Sequence, residues 1–183
     1  EVVPLDPESC SDTDITDILG AFYRVLDPDN DTAKAIADKF PRGPGWPDRG
    51  AVPFTSATKW SAVNFLDRGA YVVGAPEYIL GQDFAALEKR TAPYAAQGCR
   101  VLLLAQCDGA EIGRLHGVVI PLALLVLENP IRPNAPKVFD YFHTQGVDVK
   151  VISGDNPVTV SAVAAQAGIR NAEQWVDARE LQT

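Results

Sequence analysis

Two short polar segments in the C-terminal part of the chain carry residue types that suit phosphate chemistry. The first is Glu128-Asn-Pro-Ile-Arg-Pro-Asn134, a charged, proline-rich turn that follows a long apolar run. The second is Ser153-Gly-Asp-Asn-Pro-Val-Thr159, which follows the apolar segment Val147–Ile152. A hydroxyl and backbone N–H groups between the end of a strand and the start of a helix are typical donors to phosphoryl oxygens. The sequence therefore predicts a phosphate-handling edge.

Alternating strands and helices would position this edge. A helix is predicted between the two polar segments, capped by Asn134, carrying Val138, Phe139 and Phe142 on one face and ended by Gly146. Val147–Ile152 is predicted as the next strand. Asn156 and Pro157 then begin a last helix, which Gly168 ends. Because strands joined through helices run parallel, the pattern predicts a partial parallel α/β segment that begins between Ile120 and Pro130.

The residues before this boundary follow a different pattern, in which several strands are joined by short turns such as Asp67-Arg-Gly69. Strands joined in this way are antiparallel. The predicted fold class is therefore α+β, with an antiparallel sheet flanked by helices followed by the partial parallel segment. The predicted helices are Ile15–Leu26, Ala33–Phe40 (capped by Asp31 or Thr32), Glu77–Leu80 and Phe84–Gln97, and the predicted strands are Glu1–Leu5, Ala51–Phe65, Gly69–Val73, Arg100–Gln106 and one or two within Gly113–Leu127.

The composition argues against nucleic-acid binding and against direct insertion into a membrane. The chain has 183 residues and a formal net charge of -8, which argues against a nucleic-acid partner because such an interface needs clustered Lys and Arg. The longest apolar run, Gly117–Leu127, is shorter than the about 20 residues that a spanning helix needs, so no direct membrane insertion is expected. Three cysteines without CxxC spacing predict buried thiols in a reducing compartment. Since the chain has no methionine, we expect it to be a piece of a longer polypeptide.

Four segments in a fixed order carry a resemblance to a known family. They are Pro53-Phe-Thr-Ser-Ala-Thr-Lys-Trp-Ser-Ala-Val63, Gly74-Ala-Pro-Glu77, Gly98-Cys-Arg-Val-Leu-Leu-Leu-Ala105, and Asn129-Pro-Ile-Arg132 with Ser153-Gly-Asp-Asn156. Together they resemble the cytoplasmic region of P-type cation-transporting ATPases, from about Ala33 to Ile169. The resemblance implies a nucleotide-binding domain over residues 1–125. It also implies part of the haloacid-dehalogenase-like phosphorylation domain over residues 126–183.

The resemblance also implies roles for individual residues. Phe54 would stack on adenine, Lys59 would lie near the phosphates, and Arg132 would hold the nucleotide or a domain-closing carboxylate. The implied nucleotide-binding residues are Phe54, Thr55, Ser56, Lys59, Gly74, Ala75 and Arg132, and the implied phosphoryl contacts are Ser153, Gly154 and Asp155.

Taken without the family, the same residues leave plainer interpretations open. Phe54 would be a core strand residue and Lys59 a solvated lysine. Arg132 would be an exposed arginine at a capped turn. Ser153-Gly-Asp155 would be an ordinary strand-to-helix turn in which Asp155 or Asn156 caps the helix.

The chain lacks the two motifs that complete the chemistry of this family. The Asp-Lys-Thr-Gly-Thr phosphorylation motif and the Gly-Asp-Gly-x-Asn-Asp magnesium motif are both absent. The resemblance therefore implies ATP as ligand, Mg²⁺ held largely by residues outside this chain, and no metal site within it. The implied partners are the rest of the phosphorylation domain and the actuator and transmembrane domains of a pump, with this segment at the cytoplasmic face of a membrane. The isolated chain is expected not to hydrolyse ATP.

Two positions depart from the family pattern. Val73 stands where the family usually carries lysine, and Cys107 stands where many members carry arginine. Both changes would remove positive charge from the expected phosphate side. They motivate an alternative hypothesis, a non-catalytic regulatory or interaction module on the same scaffold with weak or no nucleotide binding.

Overall fold

The computed structural model describes residues 1–128 and 130–177. The helices are α1 (Asp12–Val25), α2 (Asp31–Lys39), α3 (Pro76–Leu80), α4 (Ala85–Ala96), α5 (Ala135–Thr144) and α6 (Pro157–Gln166), with a 3₁₀ turn over Gly81–Phe84. The strands are β1 (Val2–Pro4), β2 (Asp48–Val52), β3 (Trp60–Phe65), β4 (Gly69–Gly74), β5 (Arg100–Cys107), β6 (Gly109–Glu111), β7 (Arg114–His116) and β8 (Ile120–Leu127). The chain divides into two compact units, Glu1–Leu87 with Val101–Val126, and Glu88–Arg100 with Leu127 onward.

Unit 1 is built on a six-stranded sheet in the order β1-β8-β5-β4-β3-β2. Strand β4 lies antiparallel between β3 and β5, with Gly74 opposite both Trp60 and Leu103. Strands β1 and β8 are also antiparallel. The predicted antiparallel sheet flanked by helices is confirmed.

Helix α1 shows why unit 1 folds around this sheet. Ser11 caps the helix, its Oγ accepting the Asp14 N–H at 3.2 Å while the Asp14 carboxylate accepts the Ser11 N–H at 3.0 Å. The apolar positions Ile15, Leu19 and Phe22 recur at helical spacing and are almost completely buried. Burial of each such side chain contributes roughly 1.5–3 kcal/mol. The helix predicted over Ile15–Leu26 is confirmed.

A pair of glycines fixes the proline-rich loop that leads into β2. A Cβ atom at Gly20 would lie 2.4 Å from the carbonyl oxygen of Arg42, and one at Gly43 would lie 2.2 Å from the Ala21 nitrogen. The loop backbone therefore packs directly on the backbone of α1. Trp46, in the same loop, packs edge-on against Phe65, with the Arg68 guanidinium 4.1 Å from its ring centroid.

Unit 2 is mainly helical in the described residues. The C-terminal end of α4 contacts α6, where the Gln166 side chain donates to the Gln97 carbonyl at 2.9 Å and the Thr159 hydroxyl to the Cys99 carbonyl at 3.4 Å. Gly98, at φ 80°, ends α4 as predicted. The helices predicted around Val138 and after Asn156 are also confirmed, as α5 and α6.

Four sequence predictions about elements are wrong, and three of them concern one strand and two helix caps. Ala51–Phe65 is not one strand, because residues 53–59 form a loop between β2 and β3. Helix α2 is capped by Asn30, whose Oδ1 accepts the Ala33 N–H at 2.9 Å, and not by Asp31 or Thr32. Asn134 occupies the N-cap position of α5 without a side-chain hydrogen bond to the helix.

The segment Val147–Ile152 is not a strand either, and the Ile152 side chain is 98% exposed. A strand needs a neighbour to receive its backbone hydrogen bonds. Within the described residues, no strand lies wholly in unit 2. The one or two strands predicted within Gly113–Leu127 are confirmed as β7 and β8, whereas β6, which pairs with β7, was not predicted.

Candidate functional site

The Phe54 side chain lies in the loop between β2 and β3 and is 40% exposed. By contrast, the Trp60 side chain at the start of β3 is only 4% exposed. The interpretation of Phe54 as a core strand residue is therefore wrong. A partly exposed aromatic side chain in a loop is available for stacking with a planar ligand.

The loop after Phe54 closes into a compact turn through its own backbone and hydroxyl groups. The Lys59 N–H donates to the Thr55 carbonyl oxygen at 2.9 Å. The Thr58 N–H donates to the Thr55 Oγ1 at 3.1 Å, and the two threonine hydroxyl oxygens lie 2.8 Å apart. Ser56 is exposed on the turn between them. Phe54 and Lys59 thus flank one closed turn.

Lys59 has a left-handed backbone conformation, with φ of 60°. For a side chain with a Cβ this conformation is disfavoured, by roughly 1–2 kcal/mol. It is held on both sides, because the Lys59 N–H binds Thr55 and the Lys59 carbonyl accepts the Ala75 N–H at 2.9 Å. Strain of this kind is often found at functional sites, where the surrounding structure fixes it.

Gly74 lies directly against the same turn. A Cβ atom at this position would be 2.4 Å from the Lys59 carbonyl oxygen and 2.4 Å from the Trp60 Cβ. The neighbouring chain therefore demands glycine here, and the role in nucleotide approach that the sequence assigned to Gly74 stays a prediction. Pro76 follows at the start of α3. Unit 1 thus brings six of the predicted site residues together: Phe54, Thr55, Ser56, Lys59, Gly74 and Ala75.

The other four predicted site residues belong to unit 2. The Asp155 N–H donates to the Ser153 Oγ at 3.1 Å, and Asn156 caps α6 by accepting the Val158 N–H at 3.0 Å. Gly154 lies exposed between Ser153 and Asp155. Arg132 is exposed, and its carbonyl accepts the Ala135 N–H at the start of α5. Asn129, the first residue of the predicted hinge, lies outside the described residues.

The structure adds one residue that the sequence did not single out as a site residue. The Arg100 Nη2 lies 2.7 Å from the Asp155 Oδ2, and both side chains are partly exposed. The arginine belongs to the Gly98–Ala105 motif, which is the only signal the sequence gave. Its partner is 55 residues away, so local pattern could not reveal the pair. A carboxylate held by a guanidinium in this way has a defined orientation.

Comparison with known proteins covers most of the chain. It is 45% identical over 171 residues to CtpE, a calcium-transporting ATPase of Mycobacterium bovis, which covers 92% of the chain and 21% of that protein. It is 35% identical over 184 residues to exp7, a probable cation-transporting ATPase of Streptococcus pneumoniae, which covers 98% of the chain and 23% of that protein. The chain belongs to the P-type cation-transporting ATPases.

A third relative of this P-type ATPase segment is a potassium-transporting ATPase ATP-binding subunit of Leptospira interrogans. The two are 30% identical over 129 residues, which is 64% of the chain and 17% of the relative. No protein-family profile matches the chain. The chain spans about a fifth of the length of the cation-transporting ATPases that it matches.

The two departures from the P-type ATPase pattern both lie in the core of the sheet. Val73 is 3% exposed and Cys107 is 4% exposed. Cys107 pairs with Ala70, whereas Gly74 pairs with Leu103. At about 3.4 Å per residue, Cys107 lies roughly 13 Å further along the strands from Gly74. Cys107 therefore lies toward the other end of β4 and β5 from Gly74, and its expected place on the phosphate side stays a prediction.

The Cys107 thiol is a buried structural group. Burial raises its pKa, and its Sγ lies 3.3 Å from the Gly109 carbonyl oxygen. Cys10 is also buried and Cys99 half-buried, and all three cysteines are free thiols.

The described residues build no metal centre. Nowhere among residues 1–128 and 130–177 do three or more His, Cys, Asp or Glu side chains come together. These residues therefore do not fit Mg²⁺ as a complete site. Among the same residues, no helix combines the length and the apolar character that a membrane span requires.

Proposed function

We propose that this segment is the ATP-binding part of a P-type cation pump, with the adenine ring on Phe54 and the phosphate chain toward Lys59. The observation that carries the proposal is the exposed Phe54 ring on the same closed turn as Lys59. The similarity to a potassium-transporting ATPase ATP-binding subunit supports it. Thr55, Ser56, Gly74 and Ala75 complete the proposed nucleotide surface.

The energetics favour orientation of ATP over tight binding. Stacking of a base on an aromatic ring contributes roughly 1–3 kcal/mol. One lysine supplies a compact charge for the phosphates, and a charged hydrogen bond contributes about 1.5–3 kcal/mol. Association costs offset much of this sum. We therefore expect an affinity near the millimolar range, which corresponds to about -4 kcal/mol.

In unit 2, Ser153, Gly154 and Asp155 are proposed to contact the transferred phosphoryl group, with Arg132 as a further nucleotide contact. The Ser153 Oγ accepts the Asp155 N–H, which leaves its O–H to donate to a phosphoryl oxygen. The backbone N–H of the exposed Gly154, shortly before α6, is proposed as a further donor near a helix N-terminus. These residues belong to the proposed haloacid-dehalogenase-like part of the phosphorylation domain.

The whole protein is proposed to couple ATP hydrolysis, through an aspartyl-phosphate, to cation transport across a membrane. The remaining phosphorylation, actuator and transmembrane domains would be its partners, with this segment on the cytoplasmic side. Since the chain carries no Asp-Lys-Thr-Gly-Thr motif, the isolated segment should not hydrolyse ATP. Steady phosphate release above a buffer blank would contradict this.

The proposal is tested by calorimetric titration of the segment with ATP. Phe54→Ala removes the stacking surface and should weaken binding about 5- to 100-fold. Tyr141→Ala is the matched control, because Tyr141 is an exposed aromatic residue of unit 2, 59% exposed, and it should leave the affinity unchanged. Equal losses in both variants would refute a specific role for Phe54.

One observation supports the alternative hypothesis, a non-catalytic regulatory or interaction module. Val73, which precedes the Gly74 turn, is apolar and buried where the family usually carries lysine. The same titration separates the two functions. Heat of binding at low-millimolar ATP supports the pump segment, and none at that concentration supports the module.

A further inference from the structure

A pair of threonine hydroxyls closes the turn that carries Phe54 and Lys59. The Oγ1 atoms of Thr55 and Thr58 lie 2.8 Å apart, and the Thr58 N–H donates to the Thr55 Oγ1 at 3.1 Å. The carbonyl of Thr55 accepts the Lys59 N–H at 2.9 Å. Both threonines are half-buried, so water competes only partly for these bonds. The two residues together hold the start of the turn against its end.

Thr58 also links this turn to the rigid sheet. Its Oγ1 lies 3.4 Å from the Trp60 carbonyl oxygen and 3.5 Å from the Thr55 carbonyl oxygen. These distances are long for hydroxyl hydrogen bonds, so the 2.8 Å contact with Thr55 is the principal one. Trp60 is buried at the start of β3. Thr58 therefore sits between the surface loop that carries Phe54 and the buried start of β3.

Lys59 needs this support because of its backbone conformation. At φ of 60° a lysine is disfavoured relative to ordinary negative φ. The direction of its side chain follows from that φ value, because a change in φ re-aims the Cα–Cβ bond. If the turn opened, Lys59 could relax to negative φ and its ammonium group would move away from its present position.

We propose that Thr58 is a positioning residue for ATP binding. Its hydroxyl, paired with that of Thr55, holds Lys59 in the left-handed conformation that presents the ammonium group to the phosphate chain. This inference rests on the proposed ATP-binding function. Thr58 acts through Lys59 and needs no contact with the nucleotide.

The test compares two substitutions of Thr58 by calorimetric titration with ATP. Thr58→Val keeps the shape but removes the hydroxyl, and it should weaken ATP binding about 3- to 10-fold, the loss expected for one hydrogen bond. Thr58→Ser keeps the hydroxyl and should stay within about two-fold of the wild type. Thr16→Val is the matched control, since the Thr16 hydroxyl donates to a backbone carbonyl at 2.8 Å on α1.

Two further readouts separate positioning from general destabilisation. Amide hydrogen exchange of Lys59 should accelerate in Thr58→Val, whereas the amides of the β3–β4 pairs should keep their protection. In a double-mutant cycle with Lys59→Gln, Thr58→Val should cost nothing further in ATP affinity, because its effect is exerted through the lysine.

The outcomes distinguish this inference from the proposed function. If the wild type binds ATP and Thr58→Val binds it equally well, the inference is overturned and the proposed function stands. Additive losses in the double mutant would also overturn it, because Thr58 would then act without Lys59. If the wild type fails to bind ATP, both the proposed function and the inference fail.

Discussion

The two units of this chain hold their predicted site residues in different ways. In unit 1, Phe54 and Lys59 flank a turn that is fixed by backbone hydrogen bonds and by contact with Gly74 in the sheet. In unit 2, the Ser153–Asp155 loop is held by a helix cap and one partly exposed ion pair. In unit 1 the site residues are positioned by the register of the sheet, and in unit 2 they are positioned by side chains at the surface. Substitutions should therefore disturb the first site more than the second.

The largest effect is expected from Gly74→Ala. The new Cβ would lie 2.4 Å from the Lys59 carbonyl oxygen, so β3 and β4 would have to shift. We expect a loss of about 3 kcal/mol in the free energy of unfolding of unit 1, measured by urea denaturation. Gly45→Ala is the control, because the nearest atom to its Cβ would be an Arg24 side-chain carbon at 3.6 Å. Wild-type stability in Gly74→Ala would contradict the close packing of Gly74 against the Lys59 carbonyl oxygen.

Lys59→Asn should separate the effect on ATP affinity from the effect on the stability of unit 1. Asparagine adopts the left-handed conformation more readily than lysine, so the stability of unit 1 should be kept or slightly raised. The ammonium group is lost, and ATP affinity should fall roughly 10-fold or more. Calorimetric titration and urea denaturation of the same variant give both values. Unchanged ATP affinity would remove Lys59 from the nucleotide site.

A smaller effect is expected from Asp155→Asn in unit 2. The Arg100–Asp155 pair has side-chain exposures of 38% and 51%, and exposed ion pairs contribute about 0–1 kcal/mol. Thermal unfolding should therefore shift only slightly. Asp148→Asn breaks a 2.7 Å pair with Lys150 that is more exposed, and its effect should be smaller still. A shift in Asp155→Asn comparable to that of Gly74→Ala would contradict the contrast between the units.

The smallest expected effect is a shift in the pKa of Asp14 at the cap of α1. Hydrogen bonds from the Ser11 side chain and backbone lower the pKa of Asp14 below its usual 3.8. A lowered pKa means that the contribution to stability is present above about pH 3.8 and is lost as the pH falls through the lower folded value. Ser11→Ala should raise the Asp14 pKa toward 3.8, as followed by NMR titration of its carboxyl carbon. No change would mean that the side-chain bond does not form.

The sequence predicted those elements whose signals lie within a few residues of each other. The turn at Asp67-Arg-Gly69 is confirmed, with φ of 61° at Asp67 and 72° at Gly69. The cap of α6 by Asn156 is confirmed for the same reason. The Ala51–Phe65 prediction failed because Pro53 and the threonine-closed turn interrupt a run of residues that otherwise suits a strand.

The candidate site was predicted less completely than the fold. The family resemblance named Phe54, Lys59 and Gly74, and the structure brings their loops together. Local pattern did not show that Lys59 is left-handed or that Thr58 closes the turn. Nor did it show how far Cys107 lies from Gly74 along the strands, because the register of β4 and β5 depends on contacts that are distant in sequence.

The most direct test of the central claim is an intermolecular NOE measurement on the segment with bound ATP. If the adenine ring stacks on Phe54, its H2 and H8 protons should give NOEs to the Phe54 ring protons, and the amides of residues 54–59 and 74–75 should shift on titration. Adenine NOEs to another exposed aromatic ring such as Tyr141, with the Phe54 resonances unchanged, would contradict the account.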